Sequence, residues 1–156
     1  MDAVIFYVSV HQGNTRQVAR AMAGPLGAKL VDIQSDEVAN IDDYDLLGFG
    51  SGIYYGKHHK LLLNFVSELP AAKGKKSFIF STSGMRKIPL VHNFSRRLRK
   101  KLEEKKFEIK GEFSCRGYDT YSLLKHIGDI NKNHPNKKDL QKAENFAKNL
   151  KQKCKD

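Results

Sequence analysis

An apolar run gives way to a helical pattern within the segment Val8-Ser9-Val10-His11-Gln12-Gly13-Asn14-Thr15-Arg16. Residues 3–8, which lead into it, are apolar without a break, as is typical of a parallel strand buried on both faces. After it, apolar residues recur at spacings of three and four from Val18 to Ala23, which predicts an amphipathic helix. The sequence therefore predicts a strand, a polar loop and a helix, in that order.

The loop between this strand and this helix is rich in hydrogen-bond donors. Ser9 and Thr15 carry hydroxyls, Gln12 and Asn14 carry amides, and Gly13 gives the backbone freedom. Backbone N–H groups and the positive end of the helix would point at the same place, which suits a phosphate group. The alternative is an ordinary strand-to-helix turn with a Ser, Asn or Thr cap, and the loop alone does not decide between the two.

Length and composition predict one domain that spans residues 1–156. A chain of this length can bury one hydrophobic core, and a hydrophobic content of 40% supplies the side chains for it. No apolar run is long enough to cross a bilayer, and the first residues lack the pattern of a signal peptide. Cys115 and Cys154 have no metal-ligand spacing. We therefore expect a cytoplasmic protein with reduced cysteines.

The chain is strongly basic, with a formal net charge of +11. Five Lys and Arg stand against eight Asp and Glu before Pro70, and twenty-three stand against nine after it. Such an excess favours an acidic protein partner or an anionic membrane surface, although a merely solvated basic surface is the simple alternative. The sequence has no aromatic-interleaved basic strand, helix-turn-helix or zinc-finger pattern, which argues against nucleic acid.

Strand and helix patterns alternate along the rest of the chain. The segment Gly24-Pro25-Leu26-Gly27 is predicted to end the first helix. Five strands in alternation with helices predict an α/β fold, a three-layer open sandwich around a parallel sheet. After the first strand and helix, strands are predicted at residues 28–33, 46–50, 77–80 and 107–113, and helices at 57–69, 90–102 and 137–153.

Polar segments follow four of these strands, at the edge of the sheet where ligands bind in open parallel folds. They share a composition of Ser, Thr, Gly and Tyr and cover residues 9–15, 51–56, 81–85 and 115–121. A single loop tyrosine is usually a plain surface residue. Two tyrosine-bearing loops beside a phosphate-binding loop favour a flat aromatic ligand between the rings.

The first of these segments resembles the phosphate loop of the flavodoxin family. The resemblance lies in Gly13-Asn14-Thr15-Arg16-Gln17-Val18-Ala19 after the strand end Tyr7-Val8-Ser9. It extends over essentially the whole chain and implies a flavodoxin-like sheet of the short-chain type, with strand order 2-1-3-4-5. One extra residue stands between Ser9 and Gly13 relative to the commoner Ser-x-Thr-Gly-Asn-Thr form, and His11 and Gln12 occupy the lengthened part.

The resemblance implies that these segments bind FMN. The isoalloxazine ring would lie between Tyr54 and either Tyr118 or Tyr121. The expected ligands of the phosphate are Ser9, Asn14 and Thr15, together with either His11 or Gln12, and Gly13 belongs to the same cofactor-binding loop. The other expected cofactor contacts are Ser51, Gly52, Ile53, Tyr54, Tyr55, Gly56, Ser81, Thr82, Ser83, Gly84, Cys115, Arg116, Gly117, Tyr118, Asp119 and Tyr121.

The implied function is an electron carrier, a flavodoxin that moves low-potential electrons between redox proteins. The basic charge of this chain, which departs from the acidic charge of familiar flavodoxins, favours redox partners with acidic docking surfaces or an anionic membrane surface. FMN would hold the electrons, so we expect no catalytic side chain and no metal. His11, His58 and His59 are interpreted as hydrogen-bonding or solvent residues. Two alternatives stay open. The segment from Gly50 to His59 also resembles the menaquinone-type protoporphyrinogen dehydrogenases, which implies an FMN-dependent oxidoreductase; an FMN-free interaction domain is the other.

Overall fold

The computed structural model describes residues 1–10, 13–38, 40–83, 93–116 and 135–156. Strands and helices alternate along the chain, as the sequence predicts. The strands are β1 (Ala3–Val8), β2 (Lys29–Asp32), β3 (Leu46–Tyr54), β4 (Lys57–His58), β5 (Lys76–Ser83) and β6 (Glu108–Arg116). The helices are α1 (Asn14–Leu26), α2 (Lys60–Glu68), α3 (Arg96–Glu104) and α4 (Lys137–Lys155), with a short 3-10 helix at Ile41–Asp43.

Five of the strands form one parallel sheet in the order β2-β1-β3-β5-β6. This confirms the flavodoxin-like order 2-1-3-4-5, since β4 is a short extra strand that pairs only with β3, in antiparallel orientation. The sequence interpretation missed β4. Its two residues fall inside the segment predicted as the start of the second helix, which begins instead at Lys60.

The core lies on both faces of the sheet. Alternate residues of β1 point to opposite sides, so that Phe6 belongs to one cluster and Ile5 to the other. The first cluster packs against α2 and α3 through residues such as Leu62 and Leu98, and the second against α1 and α4. Every residue of β1 is buried, which confirms a strand covered on both faces.

The first helix continues past the predicted stop at Gly24 and includes Pro25. Leu26 is buried in the second cluster, and this packing outweighs the backbone hydrogen bond that the proline cannot donate. The helix ends at Gly27, which adopts a φ of 61° and donates its N–H to the carbonyls of Ala23 and Gly24.

No helix in the described ranges is both long enough and apolar enough to cross a membrane.

Two glycines in β3 make room for two aromatic rings of β5. Gly48 lies beside Phe78 and Gly50 beside Phe80 in the parallel register. A Cβ atom at either glycine would overlap the ring of its neighbour. Both rings are fully buried, so the rings have no free space to move into.

We expect Gly50→Ala to destabilise the protein by about 1–3 kcal/mol, since the added methyl overpacks the core against Phe80. Gly24→Ala is the matched control. Gly24 lies on the exposed side of α1, and apart from its chain neighbours no atom lies within 4 Å of the position of a Cβ. The gain in helix propensity is offset by the contact of that Cβ with the Pro25 ring, so the change is expected to alter stability by less than about 1 kcal/mol. Urea unfolding followed by circular dichroism measures both. Equal effects of the two alanines would contradict the packing argument.

Candidate functional site

The parallel register brings the predicted site segments to one edge of the sheet. Val8 pairs with Ser51, Ser51 with Ser81, and Ser81 with Ser114. One residue further along, Thr82 lies between Gly52 and Cys115. The carboxyl ends of β1, β3, β5 and β6 therefore form one continuous row. Of the predicted residues, His11, Gln12, Gly84, Gly117, Tyr118, Asp119 and Tyr121 lie outside the described part of the chain.

The phosphate-loop candidates surround the start of α1. Gly13 is the N-cap and adopts a φ of 70°, so no side chain caps the helix from that position. Ser9 replaces such a cap, because its Oγ accepts the backbone N–H of Arg16 at 3.2 Å. A hydroxyl that accepts this bond keeps its own proton for a further acceptor. The first turn of α1, which starts at Asn14, contains no acidic residue, so nothing there opposes an anion.

A side-chain hydrogen bond between Thr15 and Thr82 connects this loop to β5 in the sheet. The Oγ1 of Thr15 lies 3.0 Å from Oγ1 of Thr82, and both residues are buried. One hydroxyl donates and the other accepts, and the accepting hydroxyl keeps its own proton for a further acceptor. The contact joins α1 directly to the end of β5 and fixes the distance between two of the predicted cofactor segments.

Arg16 does not contribute its full charge to this loop. Its guanidinium donates to Oδ2 of the buried Asp32 at 3.1 Å, at the end of β2. A side-chain hydrogen bond with Tyr7, followed by this interaction with Asp32, raises the pKa of Arg16. The sequence interpretation did not single out Asp32. The sequence signal that could have identified Asp32 was its position at the end of β2, the strand next to β1.

The segment Ser51–Gly56 is a hairpin and not the loop that the sequence predicts. Its first four residues extend β3, and the chain turns at Tyr55 and Gly56 before Lys57 pairs back to Tyr54. Both turn residues have positive φ, 51° and 78°, as a type I′ hairpin turn requires. Tyr55 is a poor signal for such a turn, because a bulky residue is strained at positive φ. This is the physical reason that the sequence interpretation missed the hairpin.

Tyr54 and Tyr55 occupy different environments in this hairpin. Tyr54 is partly buried, and its ring forms an edge-to-face pair with the ring of His59, with centroids 5.3 Å apart. Its hydroxyl lies against Gly52, where a Cβ would come within 2.9 Å of it. Tyr55 stands at the tip and is fully exposed, at 101%. Tyr54 is thus the tyrosine of this pair with a defined ring position.

A series of hydrogen bonds between buried polar side chains stabilises the hairpin. His58 is 3% exposed; its Nδ1 lies 2.9 Å from Oγ of Ser51, and its Nε2 lies 3.1 Å from Oγ of Ser95. The same Ser51 oxygen accepts the backbone N–H of His59 at 2.9 Å. His59 in turn caps α2, since its Nδ1 accepts the N–H of Leu61 at 3.0 Å. Both histidines make structural hydrogen bonds, and the sequence interpretation missed Ser95 as a partner.

The remaining described candidates are strand residues. Ser81, Thr82 and Ser83 belong to β5, while Cys115 and Arg116 end β6, so these strands are longer than predicted. Burial raises the pKa of the Cys115 thiol to about 12. The thiol is therefore protonated at neutral pH and is a packing group of the second cluster. In the part of the chain that the structure describes, no three His, Cys, Asp or Glu residues are placed to hold a metal ion.

Comparisons with known proteins agree with this architecture. A family model described as a flavodoxin domain matches residues 4–141. An uncharacterized protein of Methanocaldococcus jannaschii is 46% identical over 151 residues, which cover 96% of this chain and 98% of that protein. A solved flavodoxin from the domain Archaea superposes with a TM-score of 0.67 at 15% identity, and 100% of each chain is covered. Rubredoxin oxygen:oxidoreductase from Desulfovibrio gigas gives a TM-score of 0.72 at 17% identity over 99% of this chain and 36% of that one.

We expect both cysteines of the folded protein to resist alkylation. At pH 8 a thiol with a pKa of about 12 is ionised roughly a thousandfold less than a free cysteine, and the pKa of Cys154 is raised by burial as well. Iodoacetamide labelling followed by mass spectrometry measures the rates, with the protein in urea as the control. Cys115→Ala assigns the labelled site. Labelling of folded Cys115 as fast as in urea would contradict its burial.

Proposed function

The chain belongs to the flavodoxin family, and on that premise we propose that it binds FMN at the carboxyl edge of the sheet and carries electrons between redox proteins. The observation that carries the proposal is the shared row of Val8, Ser51, Ser81 and Ser114, which brings four candidate segments to one place. The direct bond between Thr15 and Thr82 supports it further, because it locks two of these segments together.

The residues around the start of α1 fit the phosphate of FMN. Ser9 has a hydroxyl proton to donate, Gly13 leaves the helix end open, and Asn14 begins the helix whose N–H groups point outward. With Arg16 paired to Asp32, the phosphate would be held by neutral donors and the helix dipole. His11 and Gln12 belong to the same proposed site.

The hairpin fits the ring end of the cofactor. Tyr54 would stack on one side of the isoalloxazine, and Tyr118 or Tyr121 on the other. Gly52 leaves room for the Tyr54 hydroxyl, and the ring contact with His59 positions the tyrosine before any ligand arrives. FMN supplies the redox chemistry when bound, and the chain supplies position and electrostatics. No side chain acts as acid or base in this proposal, since His58 and His59 are occupied with structural hydrogen bonds.

Absorption spectra of the purified protein during stepwise anaerobic reduction test this function. A carrier is expected to be yellow and to take up its two electrons in two separate steps. A colourless protein that binds no added FMN would contradict the proposal and favour an interaction domain. Reduction in one two-electron step, together with turnover of protoporphyrinogen by a quinone, would favour the oxidoreductase.

Thr15→Val is expected to weaken FMN binding by about 1.5–3 kcal/mol, through the loss of one hydrogen bond to a charged phosphate. Thr15→Ser is the matched control. It keeps the hydroxyl that would donate to the phosphate and that bonds to Thr82, so it is expected to change FMN affinity much less. Fluorescence quenching of added FMN measures the affinities. Equal losses in the two variants would contradict a hydrogen bond from the Thr15 hydroxyl to the phosphate.

We also propose that the partner surface is acidic, on the basis of the net charge of +11. The reduced protein should transfer electrons to the anion hexacyanoferrate(III) at a rate that falls as salt is added, because ions screen the attraction. With the cation hexaamminecobalt(III) the rate should rise instead. Stopped-flow kinetics at a series of ionic strengths measures both, and rates independent of salt would contradict electrostatic steering.

A further inference from the structure

A cavity of about 760 Å³ lies between the β3–β4 hairpin, α2 and α3. We propose that it binds a small organic polyanion, a molecule with two or more carboxylate or phosphate groups on an apolar body. This site goes beyond the proposed FMN site. The two sites share Tyr54 and Tyr55, which line the cavity and belong to the proposed ring end of the FMN site. The cations of the cavity lie on the α2 and α3 side of the sheet, whereas the FMN phosphate would lie at the start of α1 on the opposite side.

Four cationic side chains line this cavity, and they come from three different elements. Lys57 is on the return strand of the hairpin, Lys60 is in the first turn of α2, and Arg97 and Lys101 are on α3. The spacing of four residues puts Arg97 and Lys101 on the same face of their helix. None of the described residues that line the cavity is acidic. The cavity is therefore positive on three of its sides.

In the part of the chain that the structure describes, no carboxylate forms an ion pair with these four cations. Among the described residues, ion pairs join Arg16 to Asp32, Arg99 to Glu112 and Lys110 to Glu108, all outside the cavity. The hydrogen bond that Lys101 makes leaves its positive charge intact. The Lys101 ammonium donates to the hydroxyl oxygen of Ser67 at 2.5 Å, and Ser67 is a neutral group that donates in turn to the carbonyl of Leu63. Four like charges around one space repel one another, and a bound anion relieves that repulsion.

The shape and the apolar part of the lining favour an organic molecule over a bare ion or a protein surface. Val10, Tyr54 and the buried Leu63 supply apolar surface between the cations. The volume falls in the range of about 300–1,000 Å³ that is typical of small-molecule sites. An inorganic anion would leave the apolar part unfilled, and a protein partner docks on a flatter face. An apolar body with several anionic groups matches both parts of the lining.

The probe for this site is benzene-1,2,4,5-tetracarboxylate, which has a flat apolar ring and four carboxylates. Isothermal titration calorimetry at moderate salt is done on the full chain with and without saturating FMN. Binding of one equivalent in both states is expected. Benzoate, which has the same ring and one carboxylate, should bind at least tenfold more weakly, because it meets only one of the cations.

The double variant Lys60→Gln with Arg97→Gln removes two cavity cations from exposed positions that the fold does not need. It is expected to lose at least about tenfold in affinity for the tetracarboxylate. The matched control is Lys100→Gln with Lys148→Gln, which lowers the net charge equally at exposed positions outside the cavity. It should lose less than threefold. Thermal unfolding followed by circular dichroism establishes that both variants are folded.

Three results would overturn the proposal: no binding of the tetracarboxylate, equal losses in the two double variants, or displacement of the probe by FMN. The second would indicate attraction to the overall charge, and the third would make the cavity part of the FMN site. Because FMN binding is measured separately by fluorescence, a chain that binds the probe but not FMN would refute only the electron-carrier proposal.

Discussion

The parallel pairing of β3 with β1 and β5 is the constraint on which the rest of the structure depends. Gly48 and Gly50 make it feasible, because only a residue without a Cβ leaves room for the rings of Phe78 and Phe80 in the next strand. Once these strands are in register, their carboxyl ends align and Val8, Ser51 and Ser81 fall into one row. The position of the candidate site is therefore a consequence of core packing. The packing aligns the strand ends, and the polar residues lie at those ends.

The hairpin at this edge is stabilised by buried polar contacts and contains one strained residue. Ser51, His58 and Ser95 form a hydrogen-bonded chain from β3 to the start of α3, in a region where an unsatisfied polar group would be costly. Tyr55 adopts a positive φ at the tip, which is unfavourable for a bulky aromatic residue. A strained, fully exposed tyrosine on a firmly anchored hairpin is a pattern found where a ligand or partner is contacted.

The positive charge of the protein is distributed unevenly with respect to this edge. At the start of α1 the guanidinium of Arg16 is paired with Asp32, so the proposed anion binding there would depend on hydroxyls and backbone N–H groups. On the α2 and α3 side, Lys57, Lys60, Arg97 and Lys101 line the cavity and have no carboxylate partner among the described residues. The start of α1 would recognise an anion by the geometry of its hydrogen-bond donors. The α2 and α3 side would recognise an anion by its positive charge.

The sequence by itself determined the parallel α/β sheet, the buried first strand and the polar segments at the strand ends. Each of these is a local property, since periodicity and apolar runs depend only on neighbours in the chain. Only the tertiary structure decided that Ser51–Tyr54 is strand, that α1 continues through Pro25, and that Thr15 bonds to Thr82 and His58 to Ser95. These features depend on contacts between residues far apart in sequence, such as the 67 positions between Thr15 and Thr82. Burial and long-range hydrogen bonding outweigh local propensity at these sites, and no local sequence pattern predicts these contacts.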